Sequence, residues 1–117
     1  RADIVRFVEH RLEDAEVAVF AYGVSGRSAK TAVDLARAEG IRAGLFRPLT
    51  IWPFPEEQVA ALSARVRRII VPELSLGQIV LEVDRCSKGR CGVEGIHRVD
   101  GDPIGPAQIL ARIREAV

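Results

Sequence analysis

The fold is decided by the stretch Val17–Gly40, which has the sequence VAVFAYGVSGRSAKTAVDLARAEG. Its first six residues form an apolar run without alternation, which is typical of a strand buried on both faces. Beyond Gly23, apolar side chains recur at helical spacing, at Ala29, Ala32, Val33 and Ala36. Gly40 supplies a C-terminal stop for that helix. The stretch therefore predicts a buried strand followed by an amphipathic helix.

The same strand–helix cycle recurs along the chain. Three further strands are predicted at Ile41–Phe46, Arg68–Pro72 and Ile96–Val99. Helices are predicted after Pro55, from Gly77 and from Gly105, and an additional helix is predicted at the start of the chain from the spacing of Ile4, Val8 and Leu12. We therefore expect an α/β fold with three α/β/α layers and an open, mainly parallel sheet. When the strands are numbered from the one at residue 17, their expected order in the sheet is two, one, three, four. The strand order reverses between strands one and three, and ligands are expected to bind above that point.

Length and composition set limits on the class of protein. The 117 residues suit one domain, 1–117, and the net charge of +1 gives no basis for nucleic-acid binding. The one dense basic run, Arg65 to Arg68, is interpreted as a solvated face. Charges interrupt every apolar run, so we expect no membrane span and a cytoplasmic protein. Because the chain starts at Arg1 and has no Met, we expect it to be a fragment of a longer subunit.

The two cysteines, Cys86 and Cys91, are predicted to be free thiols in a loop that extends to Glu94. A structural zinc ion or an iron–sulfur cluster needs four ligands, and neither His10 nor His97 completes such a set. We therefore predict no metal site. A local disulfide stays open at this point, because its geometry is not visible in a sequence.

The first strand–helix connection contains the candidate anion loop Ser25, Gly26, Arg27 and Ser28. Free amides at a helix start, with nearby cations, can hold an anion, although simple capping by the hydroxyl groups is the alternative. The glycine spacing fits neither a Walker loop nor a dinucleotide fingerprint. Arg27 also stands where a nucleophile elbow requires glycine.

Two further segments carry candidate contact residues. Trp52 and Phe54 lie in a loop stiffened by prolines, where they either form a contact surface or fold back onto the core. Glu73 follows a central strand, where a carboxylate can cap a helix, make an interface hydrogen bond, bind a cation or act in catalysis. Without a partner acid, His or Lys in its motif, capping or an interface hydrogen bond is favoured. Gln78 is expected to face the same edge.

Three segments together resemble a known family: YGVSGRSAKTAV (residues 22–33), GLFRPLTIWPFP (44–55) and VPELSLGQ (71–78). They are similar to the C-terminal portion of the alpha subunit of 2-oxoacid:ferredoxin oxidoreductases of the 2-oxoglutarate type. The resemblance covers nearly the whole chain, and the string from Arg47 to Pro55 is its most specific part. The chain departs from the family at Ser75, where Asn is frequent.

The resemblance implies a fold like the transketolase C-terminal domain. It also implies a parent enzyme that oxidatively decarboxylates a 2-oxoacid to an acyl-coenzyme A on thiamine pyrophosphate with Mg, and passes electrons through iron–sulfur clusters to ferredoxin. These cofactors are expected outside this domain, which is expected to be inactive alone. Its partners would be the other domains, the beta subunit and, in a homo-oligomer, a second copy. The resemblance implies no catalytic residue here, only contact roles for Arg47, Trp52, Phe54, Glu73, Gly77 and Gln78.

Two other functions stay open from the sequence. The first is a stand-alone flavodoxin-like or receiver-like module that binds a small ligand or an anion. Glu73 stands where a receiver would have an acceptor Asp, and the loop after Gly23 lacks the hydroxyl-rich phosphate cradle of a flavodoxin. The second is a domain of another transketolase-like enzyme. The identity of the 2-oxoacid, any contact with coenzyme A and the subunit stoichiometry are not specified by the sequence.

Overall fold

A computed structural model describes residues 4–23, 25–73, 77–97 and 104–117. It contains nine elements in chain order: β1 (Phe7–His10), β2 (Val17–Phe20), α1 (Ser25–Ala38), β3 (Ala43–Pro48), α2 (Glu56–Ser63), β4 (Arg68–Pro72), α3 (Gln78–Ser87), β5 (Gly92–Ile96) and α4 (Pro106–Glu115). Each of the last four strands is followed by one of the four helices, as the sequence pattern predicts.

The five strands form one sheet in the order β1-β3-β2-β4-β5. Strands β3, β2, β4 and β5 are parallel, and β1 is antiparallel to β3. The four parallel strands thus have the predicted order. The direction of winding reverses between β2 and β4, so the carboxyl ends of these two strands flank the position where such sheets usually bind ligands.

Two apolar cores fill the two faces of the sheet. Because side chains alternate along a strand, Val17 and Val19 face one side and Ala18 and Phe20 the other. Helices α1 and α4 cover the first face, and α2 and α3 cover the second. The fold is therefore the expected three-layer α/β/α arrangement.

The predicted N-terminal helix is wrong, because that segment forms strand β1. Phe7 stacks on Phe46 with ring centroids 5.0 Å apart, while Val8 points outward and is half exposed. Ile4 is exposed and Leu12 is buried, so the helical spacing of the three apolar residues does not define one buried face. The short antiparallel strand instead covers the edge of β3, which would otherwise leave its backbone groups unpaired.

Three element boundaries also differ from the prediction. Helix α1 begins at Ser25, so Ser25 to Ser28 form its first turn and not a loop. Helix α3 continues to Ser87, and β5 begins at Gly92, so the supposed loop Cys86–Glu94 is mostly helix and strand with a short turn between them. Lys88 and Gly89 have positive φ angles of 51° and 76°, which produce that turn. The predicted fourth strand, Ile96–Val99, is misplaced: only Ile96 belongs to β5, His97 lies beyond the strand, and Arg98 and Val99 lie outside the described residues.

Candidate functional site

The carboxyl edge of the parallel strands brings Arg47 and Gly26 together. Arg47 is near the end of β3, and its half-buried side chain crosses the first turn of α1. A Cβ atom on Gly26 would lie 2.8 Å from Arg47 Cδ, so any larger residue at this position would require the Arg47 side chain to move. Two residues that the sequence places in separate motifs therefore form one contact.

The remaining residues of the predicted anion loop are arranged around this contact. Ser25 is buried, Ser28 is half-buried and Arg27 is exposed, while the Gly26 amide donates to the Gly23 carbonyl oxygen at 3.0 Å. The arrangement places the cations Arg27 and Arg47 close to the amino end of α1. Anion binding by this turn stays a prediction.

Glu73 connects the end of β4 to the start of α3. The residue is only 2% exposed, and its carboxylate accepts hydrogen bonds from the backbone amides of Ile79 at 3.0 Å and Val80 at 3.3 Å. These amides belong to the first turn of α3, whose orphan donors and positive dipole end favour a negative charge. The position therefore agrees with the capping role. Ser75, in the connection between β4 and α3, lies outside the described residues.

The loop after β3 separates its two aromatic residues. Phe54 is 6% exposed and packs on Phe20, with ring centroids 5.7 Å apart, so it belongs to the domain's own core. Trp52 is 67% exposed and lies 6.0 Å from Phe54, centroid to centroid. Phe54 thus folds back onto the core, whereas Trp52 is exposed and its contact role stays a prediction.

An open apolar groove of about 430 Å³ lies between Trp52 and helix α3. Its walls are Ile51, Trp52, Phe54, Gln78, Ile79, Leu81 and Glu82. Leu81 is 67% exposed, as much as Trp52, so the groove has a large indole on one side and a leucine on the other. We refer to these seven residues as the Trp52 groove.

Gly77 and Gln78 place the start of α3 at this groove. Gly77 precedes the helix with a φ angle of 90°, a left-handed conformation that side chains other than glycine adopt at a cost. Gln78 is exposed on the groove wall. Of the six predicted contact residues, Trp52, Phe54 and Gln78 line the groove, Glu73 and Gly77 set the position of α3, and Arg47 lies apart from it at α1.

The sequence analysis missed Leu81 and Glu82 as groove residues. In the predicted helix, Leu81 lies between the inward positions Val80 and Val83. A leucine outside the inward positions is the one signal in the sequence, and the structure shows that this leucine is exposed. An exposed leucine alone is common on protein surfaces and indicates nothing specific. Only the position of Trp52 opposite Leu81, which depends on the tertiary fold, turns it into part of a groove.

The His10–Asp34 pair and the two cysteines lie outside the groove. His10 Nε2 lies 2.7 Å from Asp34 Oδ1, and this hydrogen bond holds the pKa of Asp34 below its ordinary value and joins β1 to α1. Burial raises the pKa of both Cys86 and Cys91, which are free thiols. Within the described ranges, no group of three or more His, Cys, Asp or Glu side chains could hold a metal ion. No helix in the described part has both the length and the apolar character to cross a membrane.

The described residues form a three-layer α/β/α domain with an open, mainly parallel sheet. Two solved structures share this fold: a split gene transketolase, described as an inactive beta4 tetramer (TM-score 0.78, 19% identity, covering 95% of this chain and 41% of that one), and a 2-oxoglutarate:ferredoxin oxidoreductase from Magnetococcus marinus with 2-oxoglutarate, coenzyme A and succinyl-CoA bound (TM-score 0.77, 23% identity, covering 95% and 19%). At these identities the likeness concerns the fold alone.

Sequence similarity identifies the family. Residues 15–109 match the family described as pyruvate:ferredoxin oxidoreductase core domain II, and the chain belongs to that family. It is 44% identical over 111 residues to ketoisovalerate oxidoreductase subunit VorB of Methanothermobacter marburgensis, covering 95% of this chain and 31% of that protein. It is also 40% identical over 101 residues to 2-oxoglutarate synthase subunit KorA of the same organism, covering 86% and 27%. The chain thus spans about a third of the length of these relatives.

Proposed function

We propose that the chain is a structural and interface domain of a thiamine-dependent 2-oxoacid:ferredoxin oxidoreductase and has no activity alone. The match to core domain II over residues 15–109 is the observation that carries this proposal. Relatives named as subunits of ketoisovalerate oxidoreductase, 2-oxoglutarate synthase and pyruvate synthase support the general class of enzyme. They differ in substrate, so the proposal extends to 2-oxoacids and not to one of them.

The chemistry of the site supports a non-catalytic role. Glu73, the buried carboxylate at this edge among the residues that the structure describes, already accepts two amide hydrogen bonds from α3. Catalysis by a carboxylate requires a reactive position within reach of a substrate, and a carboxylate that holds a helix start is poorly placed for proton transfer. The Trp52 groove offers apolar contact area and few polar groups that could orient a reacting molecule.

The cofactors of the parent enzyme belong, in this proposal, to other domains or subunits. An iron–sulfur cluster is held by four ligands, usually cysteine thiolates, whereas this chain has two cysteines in total. Cys86 is buried in the core, and burial raises the pKa of its thiol. A raised pKa disfavours the thiolate form that binds a cluster. Thiamine pyrophosphate with Mg would supply the decarboxylation chemistry when bound elsewhere in the enzyme. The beta subunit, ferredoxin, self-association and a cytoplasmic location are parts of the same proposal.

The test uses the full-length parent protein purified with its natural partners. We expect thiamine- and coenzyme A-dependent reduction of ferredoxin, or of a viologen dye, with at least one 2-oxoacid from a panel that includes pyruvate, 2-oxoglutarate and ketoisovalerate. The 117-residue chain alone, at equal concentration, is the control and should give no reduction. No activity across the panel, in a preparation shown to contain thiamine and clusters, would contradict the proposal and favour another transketolase-like enzyme.

A further inference from the structure

The loop that carries Trp52 is the meeting point of three surface hollows. The Trp52 groove shares Phe54 with a second hollow that is lined by Val5, Glu56 and Glu57 among others. It shares Trp52 with a third, between the loop and the extended segment before β1. The indole therefore borders two of the three hollows, and an apolar side chain of a partner can pack against it in either one.

The side of the surface between α2 and α3 is lined with carboxylates. Arg85 Nη2 lies 2.7 Å from Glu82 Oε1 and 3.4 Å from Glu56 Oε2, so one guanidinium forms ion pairs with two carboxylates. Glu57, in the first turn of α2, adds a third carboxylate. The residues that line the Trp52 groove and the second hollow thus include three carboxylates, those of Glu56, Glu57 and Glu82, and no Lys or Arg within the described part of the chain. Complementary partners carry basic residues at the corresponding positions.

A small molecule is a poor fit to this surface. Ligand pockets usually enclose most of the ligand and direct several polar groups toward it. Here both Trp52 and Leu81 are two-thirds exposed, and the polar groups on the walls are those of Gln78 and Glu82. A shallow apolar groove with an aromatic wall and a charged rim is instead characteristic of a protein contact.

We infer that the Trp52 groove binds a peptide segment of the parent enzyme in which an apolar anchor residue is flanked by Lys or Arg. The inference rests on the proposed function, because it takes the occupant from the rest of that enzyme. The matched region covers 31% and 27% of the two relatives, so most of a parent of similar length lies outside the described structure and is available to cover this surface. The indole, the leucine and the acidic rim determine which segment fits.

Site-specific photo-crosslinking in the purified parent complex tests the inference. A benzophenone amino acid replaces Gln78 on the groove wall, and a control complex carries it at Leu35, an exposed leucine of α1. We expect Gln78 to crosslink to a peptide from another domain or subunit with an apolar residue next to Lys or Arg, and Leu35 not to reach that peptide. No crosslink from Gln78, a crosslink to an acidic peptide, or a crosslink only to a second copy of this chain would overturn the inference.

Matched substitutions test the apolar and charged components separately. Leu81→Glu should lower the yield of the Gln78 crosslink about tenfold or more, whereas Leu35→Glu should leave it unchanged, because a buried charge opposes docking. Glu57→Lys should lower the yield severalfold, and Glu115→Lys, on α4, should not. Equal crosslink yields for the two leucine variants would overturn the apolar part of the inference. Equal yields for the two glutamate variants would overturn the charged part. An inactive wild-type complex that still gives the crosslink contradicts only the proposed function, and an active complex without it contradicts only the docking site.

Discussion

The hydrogen bonds of Glu73 give the sharpest stability prediction. Its buried carboxylate accepts from the amides of Ile79 and Val80, and hydrogen bonds to a charged group contribute about 1.5–3 kcal/mol each. Glu73→Ala removes both carboxylate oxygens, so the two backbone amides lose these acceptors. We therefore expect the free energy of unfolding to fall by about 3–5 kcal/mol. Glu73→Gln keeps one acceptor oxygen but loses the charge at the positive helix end, and we expect about 1–2 kcal/mol.

The expected loss is large relative to the total stability. A domain of this size is usually stable by about 5–15 kcal/mol, so Glu73→Ala removes a substantial share of it. Urea unfolding followed by circular dichroism measures the free energy of unfolding, and an unchanged denaturant slope shows that the comparison is valid. The matched control is Glu57→Gln, an exposed glutamate in the first turn of α2, where the helix dipole alone predicts about 0.3–1 kcal/mol.

The order of the three variants decides whether the reasoning holds. We expect Glu73→Ala to be the least stable, Glu73→Gln intermediate and Glu57→Gln closest to the wild type. If Glu73→Gln is no less stable than Glu57→Gln, the buried carboxylate does not secure α3. If the two Glu73 variants are equally unstable, charge rather than the number of acceptors determines the loss.

Three further outcomes follow from particular contacts. Gly26→Ala should displace the flexible Arg47 side chain and change the free energy of unfolding by less than about 1 kcal/mol, and it should be more favourable in an Arg47→Ala background, as a double-mutant cycle in urea can show. Cys86 should react with iodoacetamide far more slowly in the folded chain than in urea at neutral pH, because burial raises its thiol pKa; equal rates would contradict this. Asp34→Asn should cost at most about 1 kcal/mol near neutral pH, since the carboxylate is partly exposed. Because the hydrogen bond from His10 lowers the native pKa of Asp34, its stabilising contribution is present above the ordinary value of 3.8 and is lost as the pH falls through the native value, so the difference between wild type and variant should vanish in acid.

The central parallel strands could be predicted because they are buried on both faces. Runs such as Val17–Phe20 and Arg68–Pro72 are almost continuously apolar, and their burial leaves few alternatives to a central strand. The right-handed connection rule then limits the order of strands joined by helices. The fold class therefore follows from local pattern and general topology without any knowledge of individual contacts.

Strand β1 could not be predicted from periodicity. It has four residues, of which Phe7 packs inward and Val8 points outward, so its alternation is too short to distinguish from a helical spacing that includes Ile4 and Leu12. Its conformation depends on pairing with β3, where Phe7 lies opposite Pro48 and His10 opposite Leu45. Tertiary pairing determines the structure of such an edge segment.

The candidate residues could be found one by one in the sequence, but their grouping could not. Arg47 and Gly26 are separated by an entire helix and a strand, and their contact exists because β2 and β3 are neighbours. Trp52 and Leu81 form a groove because α3 packs beside α2 on the same face. Sequence patterns identify which face of an element is buried, whereas the partners across a groove depend on the relative positions of elements.

The separation of Trp52 from Phe54 is the strongest physical argument for an interface. Phe54 holds the loop in the core, so the position of Trp52 is defined before any partner arrives, and little conformational entropy remains to be lost on binding. With 67% of the residue exposed, a partner could cover about 100–170 Å² of the indole, which corresponds to about 2.5–4 kcal/mol of apolar burial. An isolated tryptophan of this kind on a flexible loop would lose much of that gain to ordering. Anchoring by Phe54 makes the same surface area available to a partner at lower entropic cost, which explains why an aromatic pair with one buried and one exposed member suits a docking loop.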